Sequence, residues 1–208
     1  MSHRVAVLLD GGFVQKRLLA LRGGKAPTAS DILSFAKGCL SSEEELFRIY
    51  YYDCPPFGGA LTHPMSGEEQ DFSATPVFST RTRLLDDLAH ADHVAFREGV
   101  LAASGWRLKY KAQQALMNAP RACGAGDFEP AFRQKRVDMK IGLDVAWLSS
   151  KRIVDRVILV TADTDFVPAM KFARREGVQV VLVPMGSRTL NKALRAHADE
   201  VRTVPSAQ

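Results

Sequence analysis

Five apolar residues in succession, Val5, Ala6, Val7, Leu8 and Leu9, stand between Arg4 and Asp10 with no polar residue among them. A strand with one face in water alternates polar and apolar side chains; this one does not, so both of its faces must be covered. Parallel sheets with helices packed on them provide such cover. The pattern returns in Arg156-Val-Ile-Leu-Val-Thr161 and again over residues 178–183. Gly11-Gly12 supply a turn after the first strand, and residues 13–21 carry apolar side chains at helical spacing. Residues 31–40 read as a helix capped by Ser30 or Asp31, and residues 46–52 as a strand ending at Asp53. Residues 54–80, rich in Pro, Gly, Ser and Thr, read as one long loop insertion.

Further along, residues 82–90 have helical spacing, and residues 93–101 and 106–111 read as strands of a hairpin turning at Ser104-Gly105. Residues 113–132 read as a connection before a strong helix over 133–149. After the strand 156–161 come a polar turn at Ala162-Asp-Thr-Asp165 and a helix over 166–176 closed by Gly177. A helix over 190–197, a short strand over 200–204 and a short C-terminal tail complete the chain. This alternation predicts an α/β fold with a doubly wound, mostly parallel central sheet, right-handed crossovers and helices on both faces. Residues 1–208 are expected to form a single domain.

Composition narrows the classes. With 46% hydrophobic and 25% charged residues the chain can bury a core, which excludes wholesale disorder. No apolar run reaches the roughly 20 residues of a membrane span, and no secretory leader is legible, so a cytoplasmic protein without a membrane partner is expected. Cys39, Cys54 and Cys123 are odd in number and lack a CxxC pair, which supports neither a disulfide framework nor a zinc module. A formal charge of +5 suits a polyanionic partner.

The chemistry concentrates in acids that follow strands. Asp10 ends the first strand, and Asp163 and Asp165 follow another. In open parallel sheets ligands bind beyond the carboxyl ends of the strands, where strand order reverses, so these acids can converge. Clustered carboxylates repel unless a cation neutralises them, and Mg²⁺ or Mn²⁺ prefers such oxygen donors. A single Asp in such a place is ordinarily a helix cap, but Asp163 and Asp165 cannot both be the cap of one turn. Asp138 opens the helix expected over 133–149, and Asp144 lies six residues on. At roughly 100° per residue they are about 240° apart around the axis, so Asp138 is the site candidate and Asp144 is left to cap, to pair with a base or to support the site. Lys135 and Arg136 read either as solvated charges or as phosphate contacts. Arg81, Arg83, Arg97, Lys109 and Lys111 are further candidates to line a nucleic-acid path. Tyr50, Tyr51 and Tyr52 could stack bases, though part of such a row belongs to a core. Asp53 is a lower-weight site candidate.

Val7-Leu-Leu-Asp-Gly-Gly12, Tyr51-Tyr-Asp-Cys-Pro-Pro-Phe57, Lys135-Arg-Val-Asp-Met-Lys-Ile-Gly-Leu-Asp144, Val160-Thr-Ala-Asp-Thr-Asp-Phe-Val-Pro168, Arg174-Arg-Glu-Gly-Val178 and His197-Ala-Asp199 occur in that order over nearly the whole chain. In this they resemble the NYN domain, a branch of the PIN-like metal-dependent ribonucleases, and within it the LabA-like bacterial proteins. The resemblance implies a Rossmann-like, PIN-like three-layer sandwich. It also implies an acidic site in which Asp10, Asp138, Asp163 and Asp165 hold one or two Mg²⁺ or Mn²⁺ ions, with Asp144 matching a position of the LabA-like branch and Thr161 beside the acids. The activity it implies is hydrolysis of RNA, single-stranded or structured, by an endoribonuclease leaving 5′-phosphate and 3′-hydroxyl ends. Two departures stand out. Phe13 replaces an Asn that many members carry after the first Asp, and Thr161-Ala162 replaces the commoner Ser-Gly. A catalytically weak relative that binds RNA or a protein partner is the alternative, and a homodimer through a sheet edge or the Trp106 and Trp147 regions stays open. Asp163-Thr-Asp165 also resembles a haloacid-dehalogenase nucleophile turn, but it lies too near the end of the chain. No GxGxxG or GxxxxGK phosphate loop occurs.

Overall fold

The computed structural model describes residues 2–186 and 190–204. Along the chain its elements are β1 (His3–Asp10), α1 (Gly11–Leu21), α2 (Ala29–Gly38), β2 (Glu44–Asp53), β3 (Ala60–Thr62), β4 (Glu69–Asp71), α3 (Pro76–Ala89), β5 (Val94–Glu98), β6 (Val100–Leu108), α4 (Tyr110–Asn118), β7 (Phe128–Lys135), α5 (Val137–Ser150), β8 (Arg156–Val160), α6 (Val167–Arg175), β9 (Gln179–Leu182), α7 (Lys192–His197) and β10 (Glu200–Val201). They fall into two compact units. The first comprises the chain up to Asp53, Leu84–Gly99 and everything from Arg136; the second comprises Cys54–Arg83 and Val100–Lys135. No helix among the described residues is long and apolar enough to cross a membrane. The C-terminal tail expected beyond Val204 lies outside the described residues.

The first unit is the α/β fold that the apolar strands demanded. Its six strands are all parallel, in the order β10-β9-β8-β1-β2-β5. From β1 the chain steps outward to β2 and β5, then returns to the other flank of β1 with β8, β9 and β10. Strand order therefore reverses between β1 and β8, the kind of point beyond which open parallel sheets bind their ligands. Val5, Val7 and Leu9 of β1 pack with Val14 and Leu18 of α1, Ile32 and Phe35 of α2, and Leu85 and Leu88 of α3. Ala6 and Leu8, equally buried, point to the other face, because successive strand residues alternate. That double burial is why the strand shows no polar alternation.

Several boundaries differ from the sequence reading, each for a local reason. Thr28, not Ser30 or Asp31, caps α2: its hydroxyl accepts the Asp31 N–H at 3.2 Å while the Asp31 carboxylate accepts the Thr28 N–H at 2.8 Å. The stretch over 54–80 is not one loop, since it carries the β3–β4 hairpin and the opening of α3. Ser104-Gly105 is not a hairpin turn. β6 runs straight through it and pairs antiparallel with β7, with a bulge between Ala103 and Trp106 where Gly105 takes φ 86°. The hairpin partner thus comes from residues 128–135, part of the expected connection and of the expected helix. Lys135 pairs with Val100 and Arg133 with Ala102, so α5 begins only at Val137.

The second unit holds the two antiparallel ribbons β3–β4 and β6–β7, helix α4 and an aromatic cluster. Phe57, Phe72 and Phe132 pack edge to face or tilted, with ring centroids 5.4–5.8 Å apart.

Candidate functional site

The reversal between β1 and β8 places two strand ends side by side. Asp10 closes β1 and serves as the N-cap of α1, its Oδ1 accepting the Phe13 N–H at 3.2 Å. Helix α1 can start here only because Gly11 lacks a side chain. A Cβ at that position would lie 2.5 Å from the Tyr52 carbonyl oxygen and 2.9 Å from the Tyr51 ring. On the neighbouring strand Thr161 is fully buried. Its hydroxyl donates to Asp10 Oδ2 at 3.4 Å and accepts the Asp163 N–H at 3.1 Å, so one oxygen links the two strand ends. Asp163 caps the short 3-10 turn over Thr164–Phe166 and accepts the Asp165 N–H at 2.9 Å. Asp165, inside that turn, is the acid without a capping role. Asp138, exposed, stands in the first turn of α5.

These four acids share one electrostatic neighbourhood. Burial pushes Asp10 above the ordinary carboxylate range, and the charges of Asp138 and Asp163 push it further, against the opposing hydrogen bonds from Phe13 and Thr161. Asp138 is raised by burial and then by Asp163 and Asp165. The donors are carboxylate oxygens with one hydroxyl beside them, a hard set suited to Mg²⁺ or Mn²⁺. As they stand, no three acidic, His or Cys side chains among the described residues are gathered closely enough to hold a metal ion.

The other candidates belong to different networks. Asp53 is buried and accepts from Gln15 Nε2 at 2.6 Å and from the Tyr51 hydroxyl at 3.2 Å. Asp144 pairs with a base. Its carboxylate takes the Tyr52 hydroxyl at 2.8 Å and a forked contact from Arg97 at 2.9 and 3.2 Å. The Arg97 guanidinium also lies 5.2 Å from the Tyr50 ring centroid, so the charge expected to meet RNA is engaged within the fold. Tyr50, Tyr51 and Tyr52 are all buried rather than offered to bases. Lys135 ends β7 in the second unit, exposed, and Arg136 is exposed at the N-cap of α5 with φ 72°, a left-handed backbone unusual for a side chain of its size. The sequence leaves Gln15 without a role, gives Gly11 only a turn, and offers Tyr52 for base stacking rather than for support of Asp144. Strand parity, which separates Tyr50 and Tyr52 from Tyr51, was the available signal for Tyr52.

A family model for the NYN domain matches residues 79–205. Among solved structures, the chain is similar to a protein of unknown function from Vibrio parahaemolyticus. That match has 18% identity and a TM-score of 0.51 and covers 98% of this chain and 94% of that one, a likeness of fold. No curated protein matches the chain.

Proposed function

The chain belongs to the NYN domain family, and from that premise we propose that it is a Mg²⁺- or Mn²⁺-dependent ribonuclease, an endonuclease leaving 5′-phosphate and 3′-hydroxyl ends. The observation that carries the reading is the geometry at the sheet's reversal point, where the Thr161 hydroxyl donates to Asp10 and accepts the Asp163 N–H, with Asp138 and Asp165 in the same electrostatic neighbourhood. Separate helix caps would need no hydroxyl linking Asp10 to Asp163. Asp10, Asp138, Asp163 and Asp165 would hold the ion or ions. When bound, a divalent cation supplies acidity for the attacking water and charge compensation for the phosphate. The chain's own part is positional. Thr161 holds Asp10 and Asp163 in fixed relation, the Asp163 cap orders the turn that bears Asp165, and the exposed side chains of Asp138, Asp163 and Asp165 would supply the remaining oxygens. Arg136, exposed two residues before Asp138, would be the chain's phosphate contact.

The test is cleavage of labelled single-stranded and structured RNAs with Mg²⁺, Mn²⁺ or EDTA. Asp163→Asn should cut the rate about a hundredfold or more while the fold survives. Metal-dependent cleavage that persists in Asp163→Asn sinks the site assignment. A second reading, a NYN-fold RNA- or protein-binding regulator, draws on Phe13: where many relatives carry Asn, Phe13 gives Asp10 its backbone N–H and no side-chain amide. Bound RNA that stays uncut with every metal would select it.

A further inference from the structure

We infer that the second unit carries a binding pocket for an unpaired nucleobase of a single-stranded RNA, a proposal that rests on the RNA reading above and names the form of RNA engaged. The pocket has a volume of about 390 Å³ and lies wholly within residues 54–83 and 100–135. That size falls in the range of small-ligand sites. Its walls include Phe57, Phe72, Phe78 and Phe132, and Gln70 and Gln134, both exposed, stand among the lining residues. None of the lining residues is acidic, so an amine or metal cation would find no counter-charge.

Three features favour a base over other apolar occupants. Aromatic rings stack on any base, since every base has a π face. Each glutamine amide offers both a donor and an acceptor, the combination that reads a base edge, whereas an acyl chain or an aliphatic side chain would leave both amides unused. The charge of the unit also suits a polyanion. Its 54–83 and 100–135 segments hold eight basic and five acidic residues, more than half of the chain's net +5. A base inside a duplex cannot enter such a pocket without leaving its stack, so the pocket selects single strands, loops or bulges.

The test uses the full-length chain as Asp163→Asn, in EDTA, so that binding is read without cleavage. Four fluorescent probes are compared: a single-stranded RNA decamer, the same decamer as a duplex, its abasic counterpart with the phosphates intact, and a labelled fatty acid. The single strand should bind at least tenfold tighter than the duplex or the abasic strand. Phe72→Leu should reduce that preference by about five- to a hundredfold, the loss expected when one stacked base is released. Gln134→Ala, at an exposed position, should change the ranking of homopolymer decamers with the fold unaltered. Equal binding of normal and abasic strands overturns the pocket, as does tighter binding of the fatty acid than of any RNA. Wild-type cleavage is measured in parallel. Base-sensitive binding without cleavage fails the nuclease reading alone, and cleavage with base-insensitive binding fails the pocket alone.

Discussion

At Gly11 a single hydrogen atom in place of a methyl group lets α1 begin directly against β2. The Cβ of an alanine would meet the Tyr52 carbonyl oxygen at 2.5 Å, and that oxygen cannot move without disturbing the parallel ladder between β1 and β2. Gly11→Ala is therefore expected to cost about 1–3 kcal/mol, the usual range for overpacking, read as a lower urea midpoint. Because Asp10 is the cap of the displaced helix, cleavage should fall as well. An unchanged midpoint would show that the contact relaxes freely. The Gly-Gly pair is legible in the sequence as a turn, but nothing in it says that the first glycine faces a backbone oxygen forty-one positions away. Asp53 teaches the same lesson. Its place at a strand end made it a candidate, and the Gln15 and Tyr51 side chains that engage it come from another element and from the strand's own parity.

At the level of elements, the ends of the strands opposite the acids are tied by one carboxylate. Glu44 opens β2, its side chain fully buried, and receives Arg156 at the start of β8 and Arg202 just beyond β10. Burial alone would raise Glu44, but hydrogen bonds from Arg202, the Ser41 N–H and Arg156 outweigh it and hold the carboxyl at about 2. A folded value depressed from the ordinary 4.5 contributes stability at neutral pH that is lost as pH falls from about 4.5 toward 2. Acid denaturation should thus show a component in that window that Glu44→Gln removes. At pH 7 the same variant should lose on the order of 3 kcal/mol, since it leaves Arg156 without its charge partner and Arg202 with Glu200 alone. An acid transition identical in the two proteins would refute the assignment. Helix α5 divides its two acids as the 240° separation required: Asp144 turns to Tyr52 and Arg97, and Asp138 shares the field of Asp163 and Asp165. The β6 strand was less legible, because a Ser-Gly pair marks a bulge and a hairpin turn equally well, and only the pairing with β7 separates them.

For the molecule as a whole, the ionised forms of Asp10 and Asp138 carry a stability cost that the proposed cation would remove. With Asp10 and Asp138 raised above their unfolded values, their ionisation disfavours the folded state as pH rises through those values. At neutral pH, millimolar Mg²⁺ or Mn²⁺ should therefore raise Tm by a few degrees, and the increment should shrink in Asp163→Asn and shrink at pH 4, where protons compete for the raised acids. Calorimetry with and without metal checks this, and an equal rise in both proteins at both pH values would indicate a nonspecific salt effect. The sequence by itself determined the class of sheet and the order of its elements, because unbroken apolar strands and the acids that end them are local patterns written in consecutive residues. The tertiary structure alone decided that β1 and β8 are neighbours and that Thr161 links Asp10 to Asp163. It also decided that Arg97 serves Asp144 and that residues 54–83 and 100–135 form a unit of their own. Each of those facts depends on contacts between residues far apart in the chain, and such contacts are set by packing and strand pairing rather than by any local pattern of residues.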